Sequence, residues 1–193
     1  MKPLAVHGGA AATVFSVCVA AWAAFELAIA IRVRGGLGRH PSLLPLVLSV
    51  VGGVAMAQFV ARRVEGLALP GPGWWPVAVG AAVLALGLAF RAWAVHELGR
   101  FFKFTVVVQA DHRVVDTGPY RLIRHPSYTG LLMAELGLGI MLGTWLSIPA
   151  AVLPPLIGFG ARIRREERVL ARELGEPYRE YMTRTHRLVP GIW

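Results

Sequence analysis

The sequence is poor in charge. Across its 193 residues Asp, Glu, Lys and Arg reach only 16%, against about 25% in ordinary globular domains. Hydrophobic residues make up 55% and the mean hydropathy is +0.56, so water alone is not the solvent for this chain. Cysteine is nearly absent: Cys18 stands alone, which excludes an internal disulfide and any CxxC zinc or redox site. The six histidines, His7, His40, His96, His112, His125 and His186, show neither HxxxH nor HExxH spacing, so no metal site is expected. Acidic residues are scarce, 11 against 20 basic, leaving a net charge of +9. That excess does not indicate nucleic acid, because the basic residues fall between long apolar runs. It fits a membrane protein beside an anionic lipid surface.

The apolar runs set the architecture. Residues 10–31 are interrupted only by Glu26 and extend about 33 Å as a helix, enough to cross a bilayer. Lys2 and the small residues around Ala20 and Ala21 offer a cleaved signal peptide as the competing reading, but the run outlasts an h-region of about 7 to 15 residues. Residues 42–61 form a second span, with Pro45 and the Gly52-Gly53 pair allowing a kink or close helix contact. Residues 74–95 form a third, opened by Trp74 and Trp75 as interfacial anchors. The stretch 127–161 carries only one charge, Glu135. As a single helix it would reach about 52 Å, far beyond the roughly 30 Å hydrocarbon core. A hairpin of spans 127–144 and 147–161 is therefore expected, turning near Gly143 to Ser147, with Pro149, Pro154 and Pro155 bending or shortening its second arm.

The expected fold is one all-α integral membrane domain of five transmembrane helices, with polar regions 96–126 and 162–193. Sixteen basic residues follow spans one, three and five, against Lys2, Arg62 and Arg63 on the other side. The positive-inside rule puts the amino terminus outside and the carboxyl terminus in the cytoplasm, across the inner membrane if the cell is prokaryotic. Both polar regions then share the cytoplasmic face.

Two segments could carry chemistry. The first, DTGPYRLIRHPSYTG (residues 116–130), contains a turn signal at Thr117 to Tyr120, and Pro126 suits the first position of the following helix. A purely structural loop would use Arg121 and Arg124 on lipid phosphates and set Tyr120 and Tyr128 at the interface. The second, RIRREERVLARELGEPYREY (residues 162–181), carries an apolar stripe of Ile163, Leu170 and Leu174 that Glu166 and Glu167 interrupt. At least one carboxylate should point toward the protein body. The competing reading is an intrahelical pair, Glu167 with Arg164 or Glu166 with Arg162, worth about 0.2 to 0.5 kcal/mol. Gly175 fits a helix C-cap, and Pro177 prevents continuation.

RHPSYTG, followed after the hairpin by EE, resembles the signature of the isoprenylcysteine carboxyl methyltransferase family, within the membrane methyltransferase group that includes the phospholipid methyltransferases. The likeness extends back through LGRFF (98–102) and HRVVDTGPY (112–120), and forward through LGEPYREY (174–181) and LVP (188–190). It covers residues 93–190, and five spans resemble the smaller prokaryotic members. Arg113-Val114 departs from the usual leucine before the valine.

The resemblance implies S-adenosyl-L-methionine as donor, S-adenosyl-L-homocysteine as product and no Rossmann domain. No GxGxxG follows a predicted strand, and Gly35, Gly36 and Gly38 only precede a proline-containing span. By position in the motifs, Gln109, His112, Val114, Tyr120, His125, Pro126 and Tyr128 would line the cofactor pocket. Glu166 or Glu167 would take its ammonium or face its sulfonium. Arg124 and Glu167 would be the catalytic pair, with Arg124 orienting the acceptor. The acceptor would be lipophilic and is expected to be a prenylated, isoprenylcysteine-like carboxylate. A phenolic or pyrone lipid, a thiol or a phospholipid amine fits the same hydrophobic surround. A noncatalytic scaffold or transporter would instead use Glu26, Arg91 and Glu135 as intramembrane ionisable groups.

Overall fold

The computed structural model describes residues 9–32, 43–64, 66–71, 73–102 and 114–191. Three long apolar helices come first: α1 (Gly9–Arg32), α2 (Leu43–Arg63) and α3 (Trp75–Leu98). Each is long and apolar enough to cross a membrane, and their outward faces carry large apolar side chains such as Val17, Ile31, Leu44, Phe59 and Leu86. Such faces suit lipid rather than water. Two short 3-10 turns, Gly99–Phe101 and Gly118–Arg121, precede α4 (Pro126–Met141), α5 (Ser147–Glu173) and α6 (Glu176–Arg184). Among the described residues extended pairing is confined to two isolated bridges, Ala68 with Thr144 and Ile123 with His186.

The most extensive contact joins α3 to α4, and glycine makes it possible. A Cβ added at Gly137 would lie 2.5 Å from Leu84 N and 2.6 Å from Gly80 O. One added at Gly130 would meet Gly87 O and the Cβ of Arg91, both at 2.8 Å. Gly80 and Gly87 thus face Gly137 and Gly130 in two layers spaced by two helical turns, and the backbones approach as closely as small-residue helix contacts in membranes allow.

The α4–α5 connection turns where the sequence places it. Gly143 takes a left-handed φ of 72°, and the Ser147 hydroxyl donates to Gly139 O at 2.7 Å. The chain before α3 braces this corner through Leu69 N to Gly143 O and Trp145 N to Leu67 O, both 2.9 Å.

The second arm differs from expectation. Pro154 and Pro155 lie inside α5, yet the helix runs unbroken for 27 residues, about 40 Å. The expected fifth span and the expected amphipathic helix are one element, whose charged end extends past its apolar part. The proline at 155 leaves Ala151 O without its intrahelical donor, and α2 packs there through Gly53, whose added Cβ would stand 2.5 Å from that oxygen. The lack of a side chain at Gly53 lets α2 lie directly against this carbonyl, and the arm is not shortened. After Gly175, at φ 65°, Pro177 occupies the opening turn of α6; it ends one helix and starts another.

The glycine layers yield a stability prediction. Gly137→Ala forces α3 and α4 apart and should cost about 1 to 3 kcal/mol, the range for overpacking. Gly52→Ala, whose added Cβ meets nothing within 4 Å, should change little. Thermal unfolding of both variants in the same detergent checks the contrast.

Candidate functional site

The C-terminal end of α3, the N-terminal end of α4 and the C-terminal half of α5 converge, and the polar loop is fastened between them. Gly118 adopts a φ of 54° beside Glu97, which accepts a hydrogen bond from the Thr117 hydroxyl. Tyr120 is buried, donating from its hydroxyl to Ala94 O at 3.3 Å and accepting at its carbonyl from Tyr181 at 2.7 Å. Burial, and then the charge of Glu166, push the Tyr120 phenol well above its ordinary pKa, so it remains protonated. The C-terminal tail runs alongside: Arg124 N donates to His186 O at 2.7 Å and His125 N to Arg187 O at 3.0 Å.

Glu167 is the centre of this assembly. Only 4% exposed, its Oε1 accepts from Arg124 Nε at 2.8 Å and its Oε2 from Arg187 Nε at 2.9 Å. His125 Nε2 approaches Oε1 at 3.4 Å, a long contact. Burial pushes the carboxyl pKa up, but His125, Arg124 and Arg187 outweigh it and hold the value at about 2. Arg124 also donates through Nη1 to the carbonyls of Met182, at 3.0 Å, and Thr185. Its fork, expected beside an acceptor, is turned toward Glu167 and the end of α6.

Glu166 is placed differently. It is half-buried, and its Oε2 accepts from the Tyr128 hydroxyl at 3.2 Å. Tyr128 also accepts from Arg162 Nε and stacks on Phe159 and His125, with ring centroids 4.9 Å and 5.8 Å apart. His125 caps α4, and Pro126 opens it as its sequence position indicates. Glu167 turns inward to the loop and tail, and Glu166 faces Tyr128.

The structure therefore gathers Tyr120, Arg124, His125, Pro126, Tyr128, Glu166 and Glu167 at one end of the bundle. Val114 lies half-buried at the start of the same loop. Gln109 and His112 lie outside the described residues. Among the described residues no cluster of three or more potential metal ligands occurs.

Arg162 and Arg187 were not singled out for this site by the sequence. The isolated spacing of Arg187 carries no signal, whereas Arg162 sits one turn before Glu166 and would have been found by asking what a buried tyrosine hydroxyl needs. A second polar cluster lies nearby. Buried Arg91 donates to Glu26 Oε1 and Oε2 at 2.6 Å each and through Nη1 to Ser127.

A model of the isoprenylcysteine carboxyl methyltransferase (ICMT) family matches residues 79–172. Protein-S-isoprenylcysteine O-methyltransferase B of Arabidopsis thaliana is 30% identical over 172 residues, covering 86% of each chain. A protein of Oryza sativa subsp. indica, described as "Probable protein-S-isoprenylcysteine O-methyltransferase", is 34% identical over 121 residues, and the match spans 62% of this chain and 63% of the rice protein's length. Among solved structures, the eukaryotic intramembrane Ras methyltransferase ICMT superposes with a TM-score of 0.67 at 26% identity, covering 98% of this chain and 70% of that one.

The charge arrangement around Glu167 fixes a pH dependence. Its folded pKa lies below the unfolded carboxylate value of about 4.3, so its stabilising contribution is complete above that value and lost as pH falls toward about 2. Glu167→Gln should be less stable than the parent near neutrality, and the gap in melting temperature should close on acidification below about pH 4. A gap that stays constant with pH would contradict this electrostatic role.

Proposed function

The chain belongs to the isoprenylcysteine carboxyl methyltransferase family, and from that premise we propose that it transfers a methyl group from S-adenosyl-L-methionine to the carboxylate of an isoprenylcysteine-like acceptor. The observation carrying this reading is the half-buried Glu166 beside the His125–Tyr128–Phe159 aromatic stack.

A cationic cofactor requires a carboxylate with capacity to spare and a wall for its base, and these residues fit. Among the described residues Glu166 accepts a single 3.2 Å bond, from Tyr128, which leaves acceptor positions for an ammonium. Bound there, the cofactor would supply an electrophilic methyl on a sulfonium. His125, Pro126, Tyr128 and Tyr120 would form its wall, with Val114, Gln109 and His112 contributing from the loop before them. Glu167, held by Arg124 and Arg187, acts in this reading by fixing the loop before α4 and the tail. Arg124 is then a positioning residue that locks the loop to α6.

The acceptor needs no general base, because a carboxylate is already ionised at neutral pH. One of its oxygens would form the bond to the methyl carbon as the methyl–sulfur bond breaks and its electron pair stays on sulfur, so the residues of the site would have no proton to move. Opposite charges are cancelled, and in-line placement supplies much of the acceleration. The high pKa of Tyr120 fits a wall residue rather than a base.

The membrane arrangement completes the proposal. α4 and the apolar part of α5 act as fourth and fifth spans, and the excess of basic residues supports a cytoplasmic site with the amino terminus outside. The partners are the lipophilic acceptor and anionic lipids.

Calorimetry with S-adenosyl-L-homocysteine tests the carboxylate assignment. Glu166→Gln should weaken binding roughly 10- to 150-fold, the equivalent of a hydrogen bond to a charged group. Equal affinities would make Glu166 structural.

A further inference from the structure

An apolar cavity of about 650 Å³ lies between α1 and α2, bordered by Arg91 of α3 and Leu131 of α4, within the size range of small-molecule sites. It is separate from the Glu166–Tyr128 wall but adjoins it through Arg91. Valines and leucines make up much of its lining, including Val47, Val50 and Leu131; Glu26 and Arg91 both border it. Trp22 also lines it, and its buried Nε1 has no hydrogen-bond partner among the described residues. An apolar cavity with a paired cation at its border and an unused donor in its wall suits an apolar chain that ends in a carboxylate.

Arg91 already holds a carboxylate in the way such a ligand would require. It is 3% exposed, and its Nε and Nη2 grip the two Glu26 oxygens at 2.6 Å each, the bidentate fork suited to carboxylates. Its Nη1 is fixed on Ser127, the residue between Pro126 and Tyr128 of the proposed cofactor wall. Glu26 is the displaceable partner. Its side chain is 26% exposed, against 4% for that of Arg91, and it belongs to α1, whose contacts with α3 and α4 are sparse. Arg124 offers no comparable opening, since its Nε and Nη1 bind Glu167, Met182 and Thr185.

Resting on the methyltransferase reading, we infer that Arg91 anchors the acceptor's carboxylate and that Glu26 holds the same fork when no acceptor is bound. The exchange replaces one carboxylate by another, so Arg91 is never left as an unpaired buried charge, which would be costly. Glu26, less than two turns from Arg32 at the end of α1, turns toward that end and away from the hydrocarbon, and the apolar chain lies in the cavity. Methylation removes the acceptor's charge. The neutral ester competes poorly for the guanidinium, Glu26 recaptures it, and the product leaves.

The test compares N-acetyl-S-farnesylcysteine with its uncharged carboxamide, measuring binding to the full chain in nanodiscs loaded with S-adenosyl-L-homocysteine. The parent should prefer the acid by roughly 10- to 100-fold, the equivalent of a charge-assisted hydrogen bond. Arg91→Gln should abolish this preference while S-adenosyl-L-homocysteine affinity is retained. Because Arg91→Gln strands Glu26, the double variant Arg91→Gln/Glu26→Gln provides the same test with no stranded charge. Glu26→Gln alone should tighten the acid several-fold and leave the amide unchanged. An acid preference that survives in the double variant, or a Glu26→Gln chain that binds acid no tighter than the parent, overturns the anchor assignment. If that occurs in a parent that still methylates the acid, only the anchor is lost. A parent that binds neither S-adenosyl-L-homocysteine nor the acid overturns the underlying activity as well.

Discussion

The close approach of α3 and α4 determines where the functional groups lie. Gly80 and Gly87 oppose Gly137 and Gly130 with no room for a Cβ between the backbones. In a bilayer the hydrophobic effect gives helices little reason to associate, so this packing must supply the association through van der Waals contact. The glycine layers also fix a register. Arg91, one turn beyond Gly87, is brought against Gly130 and within hydrogen-bond reach of Ser127. The residues that follow Ser127 at the start of α4 inherit that placement, as does the His125 cap before it. Larger residues in these layers would move Arg91 away from Ser127 and separate the two polar clusters.

Beyond the bilayer packing, the site end is held by charge. Glu167 is buried between Arg124, which is also buried, and the partly exposed Arg187, joining α5, the loop before α4 and the C-terminal tail. Removing one partner from such a cluster leaves an uncompensated buried charge, which is why these groups act as a unit. The division between the two adjacent glutamates follows from helix geometry. One step along α5 rotates the carboxylate from the dry interior at Glu167 to the half-buried edge at Glu166. The first is committed to holding the loop and tail, and the second is the carboxylate proposed to meet the cofactor's cation.

Much of this was legible in the residues. Apolar run lengths placed α1 to α3 closely, and the excessive length of 127–161 required the turn at Gly143. The interrupted Ile163–Leu170–Leu174 stripe correctly required an inward carboxylate, which is Glu167. The continuity of α5 was not legible, because local rules treat Pro154 and Pro155 as breakers and cannot show that Gly53 of α2 packs against the exposed carbonyl. The orientation of Arg124 was missed for a related reason: its partners at Met182 and Thr185 lie some 60 residues away in sequence, and no local pattern encodes that pairing. Arg91 and Glu26 were visible as charges within apolar runs, but their contact depends on helix register.

Ester formation on a prenylated carboxylate is distinguished from other methylations by the fate of the methyl group under mild alkali. Purified protein in a bilayer is given methyl-labelled S-adenosyl-L-methionine and N-acetyl-S-farnesylcysteine, and the labelled product is treated with base. A methyl ester releases its label as methanol, and that release is the expected result. Label that resists base on an oxygen ether, a thioether or an amine, or no transfer at all, would contradict it.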